Sequence, residues 1–366
     1  MQQRLSDPYC YRAKQIPKRL GGLRTIDVPC PRLKKLQRRI HDFLLRRHYR
    51  PSRICHSFVG KFYDVARPAR KRWIPGRSLF TNAWVHLGVP PGVSPRSKSR
   101  RIHWRIPRSL FSVDLKDAYP SIGVDHVFRI YQELTGDPWT AQILSTLSTW
   151  NGSLPQGAPT SPLLLNFACR ELDGALAHEF TRGPYRLTRY VDDFVLTSTD
   201  PEISEATRER FVAIIEQHGF KINQAKTCYW RDTDRALRVT GINLFPQERH
   251  IGLPNVVQRQ FRAALYYALK SLESIHAYAL QRGVLDETTA MSLRGAEKQA
   301  WGLIYGVIGF TYQVYGAKIP RPIYAWIPEL TARTGVTSDT LVAKIKKYPP
   351  IAAIQQIGEE IIGSSP

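Results

Sequence analysis

Tyr190-Val191-Asp192-Asp193 places two adjacent acids between apolar residues, with Leu187 before them and Phe194-Val195-Leu196 after them. The flanking β-branched and aromatic residues predict a strand-turn-strand hairpin, whose turn lifts both carboxylates out of the sheet. Because adjacent like charges repel unless a cation compensates them, the tetrad indicates a divalent metal site. For the Asp-Asp dipeptide taken alone, a solvated turn is the simpler interpretation.

A third acid lies in the stretch Phe111-Ser112-Val113-Asp114-Leu115-Lys116. Strand alternation puts the apolar residues of this stretch on one face and the polar residues on the other, so Asp114 faces away from the core. A polymerase uses carboxylates from separate strands to hold two Mg²⁺ ions about 4 Å apart, one activating the attacking 3′-hydroxyl and one neutralising the leaving phosphates. We expect Asp114 and Asp192 to bridge both ions, and Asp193 to contribute charge or a weaker ligand.

Between these acids lies Leu154-Pro155-Gln156-Gly157-Ala158-Pro159-Thr160-Ser161-Pro162. Ser161 is predicted to be the N-cap of a helix with proline at its first position. The apolar stripe of that helix consists of Leu165, Ala168, Leu172 and Leu176. A loop that enters a helix is a natural platform for a nucleotide, so we expect Gln156 and Gly157 beside the incoming base and sugar.

With these three blocks in this order, the chain resembles the reverse transcriptase family, from about Lys18 to Phe310. The resemblance implies an α+β right-hand polymerase with fingers, a palm of antiparallel sheet plus helices, and a helical thumb. We assign residues 1–105 to the fingers and N-terminal part, 106–245 to the palm with the remaining fingers elements, and 246–366 to the helical thumb and C-terminal tail.

The same resemblance implies further site residues. Lys226 corresponds to the family's lysine that helps pyrophosphate leave, and it joins the three acids as a catalytic residue. Leu115 joins the acids as a metal-binding residue. The implied nucleotide-binding residues are Lys18, Arg24, Asp117, Ala118, Tyr119, Gln156 and Gly157. An ordinary solvated basic face is the alternative for Lys18 and Arg24.

In this interpretation, Tyr119 is the residue that selects deoxyribonucleotides over ribonucleotides. An aromatic ring beneath the ribose pocket blocks a 2′-hydroxyl, so the expected product is DNA rather than RNA. The alternative is that Tyr119 is a core ring at the end of a strand.

Two short blocks, Asn82-Ala83-Trp84-Val85-His86 and Val239-Thr240-Gly241, resemble the marks of bacterial retron reverse transcriptases. The resemblance implies a cognate structured non-coding RNA that serves as template and supplies a 2′-hydroxyl primer. The residues expected to recognise RNA are Asn82, His86, Val239, Thr240, Gly241, Arg259 and Arg262. A histidine on a helix face is also often a structural residue. Val191 stands where retron enzymes usually carry alanine, which leaves the subgroup open.

Other functions remain as alternatives. A defence-associated reverse transcriptase of the abortive-infection type, which makes DNA without a template, is the strongest of them, and another stand-alone bacterial reverse transcriptase is a second. An RNA-binding scaffold that retains a polymerase shape is a non-enzymatic alternative, but such a scaffold has no need of three converging acids.

The composition suits a nucleic-acid enzyme, because 53 Lys and Arg against 30 Asp and Glu give a formal charge of +23 in 366 residues. A long polyanion is the obvious partner for that field. Part of the excess lies in the segment 32–50, a predicted amphipathic helix whose basic residues form either an RNA-binding face or a merely solvated one. Its apolar positions are Leu33, Leu36, Ile40, Phe43 and Leu44.

The implied ligands are therefore template and primer RNA, an RNA–DNA hybrid, dNTPs and two Mg²⁺ ions, and an effector protein encoded nearby is a candidate partner in antiphage defence. Five cysteines without a Cys-x-x-Cys pair argue against zinc and disulfides and predict a cytoplasmic location. The polar amino terminus does not match a secretory signal, and no membrane association is expected.

Overall fold

The computed structural model describes residues 10–17, 23–47, 50–60, 62–63, 73–74 and 76–270, with residues 274, 277, 281, 306–307, 309–311 and 314–315. The chain divides into two compact units. The first runs to Thr240 and includes Pro246–Arg249, and the second includes Gly241–Phe245 and the residues from His250 onward.

The first unit mixes helices with antiparallel strands, which confirms the α+β class. Its strands are β1 (Tyr11–Pro17), β2 (Leu23–Pro29), β3 (Phe62–Tyr63), β4 (Trp73–Ile74), β5 (Ser109–Asp114), β6 (Tyr185–Tyr190), β7 (Asp193–Ser198), β8 (Cys228–Arg231) and β9 (Arg238–Val239). Its helices are α1 (Pro31–Arg47), α2 (Leu79–His86), α3 (Val124–Thr135), α4 (Pro138–Ser148), α5 (Ser161–Ala168), α6 (Arg170–Phe180) and α7 (Glu205–Gln217), with a 3₁₀ turn at Gln224–Lys226.

Four antiparallel strands form the central sheet, in the order β6-β7-β5-β8. The predicted hairpin is confirmed, because β6 and β7 pair from Tyr185↔Ser198 to Tyr190↔Asp193. The predicted alternation in β5 is also confirmed: Phe111 and Val113 are buried, whereas Ser112 and Asp114 are half-buried. The sheet therefore presents its polar residues at the end where β5 and the β6–β7 turn meet.

One face of the sheet is packed by aromatic rings. Phe211 of α7 is fully buried, with its ring 5.9 Å from that of Phe111 and 6.2 Å from that of Phe194, both edge-on. The ring of Phe180, on α6, lies 5.1 Å from Phe211. These contacts hold the two helices against the strands that carry the acids.

Helix α1 is amphipathic, but its buried stripe differs from the predicted one. Leu36 and Phe43 are exposed, and the buried position between Leu33 and Ile40 is taken by Gln37. The Gln37 amide donates to the Tyr11 hydroxyl at 2.7 Å and to the Leu147 carbonyl oxygen at 2.8 Å. A polar residue can occupy a core position when its donors are satisfied, which spacing alone does not reveal.

The helix after the Gln156–Gly157 loop also differs from its prediction. Ser161 is not the N-cap, because it is the first residue of α5 and its hydroxyl donates back to the Pro155 carbonyl oxygen at 2.7 Å. The predicted continuous helix is broken at Cys169, where α5 ends and α6 begins. The predicted apolar stripe is nonetheless buried across both helices.

The second unit begins with a hairpin of β10 (Ile242–Phe245) and β11 (His250–Gly252), in which the Phe245 and His250 rings stack 4.6 Å apart. Helix α8 (Asn255–Lys270) follows and buries Val257, Phe261, Ala264 and Leu265. Most residues beyond Lys270 in the predicted thumb lie outside the described part of the chain. Among the described residues, no helix combines the length and apolar character needed to cross a bilayer.

Phe211→Ala removes the ring shared by both helices and the sheet. We expect the free energy of unfolding to fall by about 3–5 kcal/mol, the usual cost of deleting a buried phenylalanine. Urea unfolding followed by fluorescence measures this loss. Phe43→Ala, at a side chain that is 42% exposed, is the matched control and should cost less than about 1 kcal/mol. Equal losses in the two variants would contradict the assigned role of Phe211.

Candidate active site

The β6–β7 turn consists of Val191 and Asp192. Val191 has a φ of +60°, a conformation that a β-branched residue seldom adopts. In two-residue hairpin turns with a positive φ at the first turn position, that position is normally glycine. Its N–H donates to the Ser57 hydroxyl at 2.9 Å, and the Asp192 carbonyl oxygen accepts from the Leu115 N–H at 2.9 Å. The turn is therefore held in an uncommon conformation by neighbouring segments.

The three predicted acids meet at this end of the sheet. Asp114, the last residue of β5, is the direct cross-strand partner of Asp193. Asp193 accepts a hydrogen bond from the Ser112 hydroxyl at 3.0 Å. Like charges opposite one another destabilise a strand pair, so this arrangement has an electrostatic cost that a structural role alone does not explain.

The raised pKa values of the acids reflect this electrostatic cost. Burial, followed by the nearby charge of Asp114, raises the pKa of Asp192 to about 6 and that of Asp193 to about 7. Burial also raises the pKa of Asp114, although the ammonium group of Lys226 lowers it. A cation at this position would relieve the repulsion.

Two basic residues face the acids. The Lys226 ammonium nitrogen lies 3.0 Å from Asp114 Oδ1 and 3.2 Å from Oδ2, and the Lys226 side chain is 47% exposed while that of Asp114 is 15% exposed. Arg24 of β2 is close enough to lower the pKa of both Asp114 and Asp192. The predicted catalytic lysine is therefore in direct contact with a predicted metal ligand.

The donor set fits a divalent cation, because carboxylate oxygens are the ligands that hard cations prefer. Within the described residues, no three side chains of His, Cys, Asp or Glu already stand in metal-holding geometry. Lys226 neutralises Asp114 instead. Leu115, the other predicted metal-binding residue, has a buried apolar side chain, so only its backbone carbonyl could serve as a ligand.

The predicted nucleotide-binding residues after β5 form a tight turn. Asp117 has a φ of +49°, and its carbonyl oxygen accepts from the Ser121 N–H at 2.9 Å. The Ser121 hydroxyl donates to the Ala118 carbonyl oxygen at 2.8 Å. Tyr119 is half-buried and packs against the core cluster, so its ring is held at the end of the strand that carries Asp114.

The Gln156–Gly157 loop contacts the β1–β2 hairpin. The Gln156 carbonyl oxygen accepts from the Asp27 N–H at 2.8 Å. Gly157 has a φ of +132°, and a Cβ at this position would lie 2.6 Å from the Asp27 carbonyl oxygen and 2.6 Å from Ile26 Cγ2. Only glycine fits there. Arg24 and this loop are therefore brought to the site by one hairpin, whereas Lys18 lies outside the described residues.

The residues predicted to recognise RNA fall into two groups. Asn82 and His86 are fully buried. The Asn82 amide donates to the Thr240 hydroxyl at 2.6 Å, and the His86 ring contacts the Thr197 and Thr188 hydroxyls, each at 2.8 Å. His86 fixes α2 to the sheet and Asn82 fixes it to the residue after β9. Neither side chain reaches the surface, so they cannot contact RNA directly in this conformation.

The remaining members of that prediction differ in exposure. Val239 is buried. Gly241 has a φ of +76° and is the first residue of the second unit. Arg259 and Arg262 lie on the exposed face of α8, so their guanidinium groups are accessible to a phosphate backbone.

Sequence reasoning missed the residues that support the turn from within the protein. They are Ser57, Asn166, Asp173 and Arg189. Arg189 immediately precedes the tetrad, and a charged residue at an inward-facing strand position is a signal for a buried partner. Asp173 and Ser57 lie on distant segments, and no local pattern indicates that they converge on the turn.

Comparison with known proteins agrees with the geometry. The sequence profile of the family described as "Reverse transcriptase (RNA-dependent DNA polymerase)" matches residues 16–244. The chain is 30% identical over 304 residues to the retron Mx65 reverse transcriptase of Myxococcus xanthus, and this alignment covers 78% of this chain and 62% of that protein. It is 30% identical over 203 residues to the retron Ec86 reverse transcriptase of Escherichia coli, and this alignment covers 55% of this chain and 57% of that protein.

The chain thus spans about three fifths of the length of these two relatives. Among solved structures, it aligns with apo telomerase from Candida tropicalis at 11% identity and a TM-score of 0.47, over 96% of this chain and 67% of that one.

Lys226→Met removes the cation that neutralises Asp114. We expect Mn²⁺ to bind about three- to tenfold more tightly at pH 8, because a divalent ion no longer competes with a half-exposed ammonium group. Titration followed by electron paramagnetic resonance measures the Kd. Lys221→Met, at a nearby exposed lysine, is the control and should leave the Kd unchanged. Weaker Mn²⁺ binding in the Lys226 variant would show that the lysine supports the ion rather than replacing it.

His86 predicts a pH dependence of stability. Burial, followed by the charges of Arg186 and Arg105, lowers the pKa of His86 to about 3 from 6.5. Below pH 6.5 the unfolded chain therefore binds a proton at His86 that the folded protein does not bind. The free energy of unfolding consequently decreases as the pH falls from about 6.5 towards 3. For one such group the slope approaches about 1.4 kcal/mol per pH unit.

Urea unfolding between pH 7.5 and pH 5 tests this effect. We expect His86→Gln to flatten the slope by up to about 1.4 kcal/mol per pH unit, whereas His178→Gln, at an exposed histidine, should leave it unchanged. His56 is also buried with a lowered pKa, so part of the slope should persist in the His86 variant. Identical slopes in wild type and His86→Gln would contradict the assignment.

Proposed function

The chain belongs to the reverse transcriptase family, and from this premise we propose that it is an RNA-directed DNA polymerase of the retron type, which copies a cognate structured non-coding RNA into DNA. The observation that carries the proposal is the meeting of Asp114, Asp192 and Asp193 at one end of the sheet, with raised pKa values and with Lys226 and Arg24 beside them. A polymerase needs this concentration of negative charge, and a scaffold does not.

Asp114, Asp192 and Asp193, with the carbonyl of Leu115, are proposed to hold two Mg²⁺ ions. When bound, such ions activate the primer hydroxyl and neutralise the leaving phosphates. Lys226 is proposed to move from Asp114 to the departing pyrophosphate, where its ammonium group supplies positive charge or a proton. Arg24 lies near enough to the acids to serve as a triphosphate contact, and Lys18 is proposed for the same role by family resemblance.

The remaining nucleotide-binding residues are proposed to fix the base and sugar. Asp117, Ala118 and Tyr119 form one wall after β5, with the Tyr119 ring excluding a 2′-hydroxyl. Gln156 and Gly157 form the other wall, which the β1–β2 hairpin supports through the Asp27 backbone. Because one hairpin contacts the loop and also carries Arg24, binding of base and triphosphate would be coupled mechanically.

RNA binding follows from the charge of the chain. The formal charge of +23 predicts strong and salt-sensitive attraction to template RNA, primer and RNA–DNA hybrid. Arg259 and Arg262 on the exposed face of α8 are proposed to contact the duplex backbone, and Asn82, His86, Val239, Thr240 and Gly241 are proposed to support RNA recognition indirectly. A cytoplasmic role in antiphage defence, with an effector protein encoded nearby, is proposed from the family resemblance alone.

The domain assignment is likewise a proposal: fingers and N-terminal part in residues 1–105, palm with remaining fingers elements in 106–245, and thumb with C-terminal tail in 246–366. The division of the chain near residues 240–250 supports the palm–thumb boundary. The described residues on either side of position 105 belong to one unit, so the fingers and palm are distinguished by function and not by separate packing.

Asp192→Asn should abolish DNA synthesis while RNA binding stays nearly intact, because basic surfaces and not the acids hold the phosphates. Primer extension with labelled dNTPs and filter binding of co-purified RNA measure the two quantities. Asp232→Asn, at an exposed aspartate paired with Arg108, is the control and should leave both unchanged. Full activity in the Asp192 variant would overturn the proposed chemistry.

The retron assignment is tested by purifying the protein from its host and sequencing the attached nucleic acid. We expect DNA complementary to a single structured RNA, joined to that RNA through a 2′-hydroxyl branch. DNA without a template, made by an otherwise active preparation, would instead assign the chain to the abortive-infection type.

A further inference from the structure

Arg189 is fully buried near the end of β6, one residue before the tetrad that carries the acids. Its Nε donates to Asp173 Oδ1 and its Nη2 to Asp173 Oδ2, each at 2.7 Å. The side chains of both residues are 0% exposed. A guanidinium held by a carboxylate through two parallel bonds has one orientation and little freedom to leave it.

The third nitrogen of the guanidinium reaches the turn itself. Arg189 Nη1 donates to the Val191 carbonyl oxygen at 2.8 Å and to Asn166 Oδ1 at 2.9 Å. Asp173 lies on α6 and Asn166 on α5, so two helices fix the position of one backbone carbonyl in the turn. That carbonyl belongs to the residue with the positive φ and directly precedes Asp192.

The other side of the turn is tied into the same network. The Ser57 hydroxyl accepts from the Val191 N–H at 2.9 Å, and the Ser57 carbonyl oxygen accepts from the Asn166 amide at 3.1 Å. The segment that carries Ser57 runs beside β6, since Arg189 N–H donates to the Ile54 carbonyl oxygen at 2.7 Å. Both backbone polar groups of Val191 are therefore held by one closed set of hydrogen bonds.

We propose that Arg189, Asp173, Asn166 and Ser57, here called the turn anchor, are positioning residues that hold Val191 in its left-handed conformation and thereby aim the carboxylates of Asp192 and Asp193. A network that only stabilised the fold would not need to bond both the N–H and the carbonyl oxygen of Val191, the residue with the positive φ. The turn anchor touches neither substrate nor ion, and it acts through the backbone of the turn. This inference rests on the proposed polymerase function.

Arg189→Lys tests the anchor directly. Lysine keeps a positive charge beside Asp173. Its single ammonium group, unlike the planar guanidinium group, cannot bond both Asp173 oxygens and the Val191 carbonyl oxygen at the same time. In primer extension at saturating substrates we expect kcat to fall at least about tenfold, because small displacements of catalytic groups have large effects on rate. The KM for dNTP should stay within about twofold, and the Mn²⁺ concentration that gives half-maximal rate should rise.

Ser57→Ala provides a milder variant that leaves the buried ion pair intact, so the test stands even if Arg189→Lys does not fold. We expect a smaller change in the same direction, with kcat reduced and KM for dNTP unchanged. Arg210→Lys is the matched control, since Arg210 bonds Glu179 at 3.1 Å in an exposed pair and should show wild-type kinetics.

Mn²⁺ binding followed by electron paramagnetic resonance gives a readout that does not need catalysis. Wild type should bind more tightly than either anchor variant. Variants that lose thermal stability but keep wild-type kcat and Mn²⁺ affinity would reduce the network to a structural role and overturn the inference. An inactive wild type that binds Mn²⁺ more tightly than its variants would contradict the proposed function while supporting the anchor, and a wild type that binds no Mn²⁺ would overturn both.

Discussion

The mutual repulsion of three carboxylates at one end of a sheet is the constraint on which the rest of this structure depends. Asp114 and Asp193 are paired across strands and Asp192 lies in the adjoining turn, so burial and like charge act together to raise the pKa values of Asp192 and Asp193. Nothing in folding favours such a cluster. The surrounding structure therefore has to impose it, through the core beneath the sheet and through the hydrogen bonds that hold the turn.

Strain in the turn adds to this cost. A β-branched residue at a φ of +60° costs roughly 1–3 kcal/mol and persists only where its surroundings over-determine it. The buried pair of Arg189 and Asp173 is one such determinant. Breaking a buried ion pair costs about 3–5 kcal/mol, yet replacing it with apolar residues is often neutral. The pair is therefore better explained by the geometry it enforces at Val191 than by the stability it contributes.

The sequence predicted the elements whose evidence is local. The hairpin and the outward face of Asp114 follow from alternation and spacing. Predictions failed where a side chain met a partner that no spacing or periodicity indicates. Gln37 fills a core position because Tyr11 and Leu147 accept the hydrogen bonds of its amide NH₂ group, and Ser161 turns back to the Pro155 carbonyl rather than capping its helix.

The same limit explains which parts of the site were found. Acids beside apolar strands are visible in sequence because charge there is conspicuous. The glycine at position 157 is also visible, but its physical reason is the close approach of the Asp27 backbone, which no spacing encodes. Asp173 resembles any helix residue until its partner is known. The acids that meet at the end of the sheet could thus be predicted, whereas the residues that hold their turn could not.

The burial of Asn82 and His86 extends this distinction between acting and orienting residues to the two short retron-like blocks. His86 bridges Thr188 on β6 and Thr197 on β7, the two strands of the hairpin that carries Asp192 and Asp193. Asn82, four residues earlier on α2, bonds Thr240, next to the point where the second unit begins. One helix therefore connects the hairpin that carries the acids with the segment that leads into the second unit. Any influence of Asn82 and His86 on RNA recognition has to act through the position of the backbone, because both side chains are fully buried.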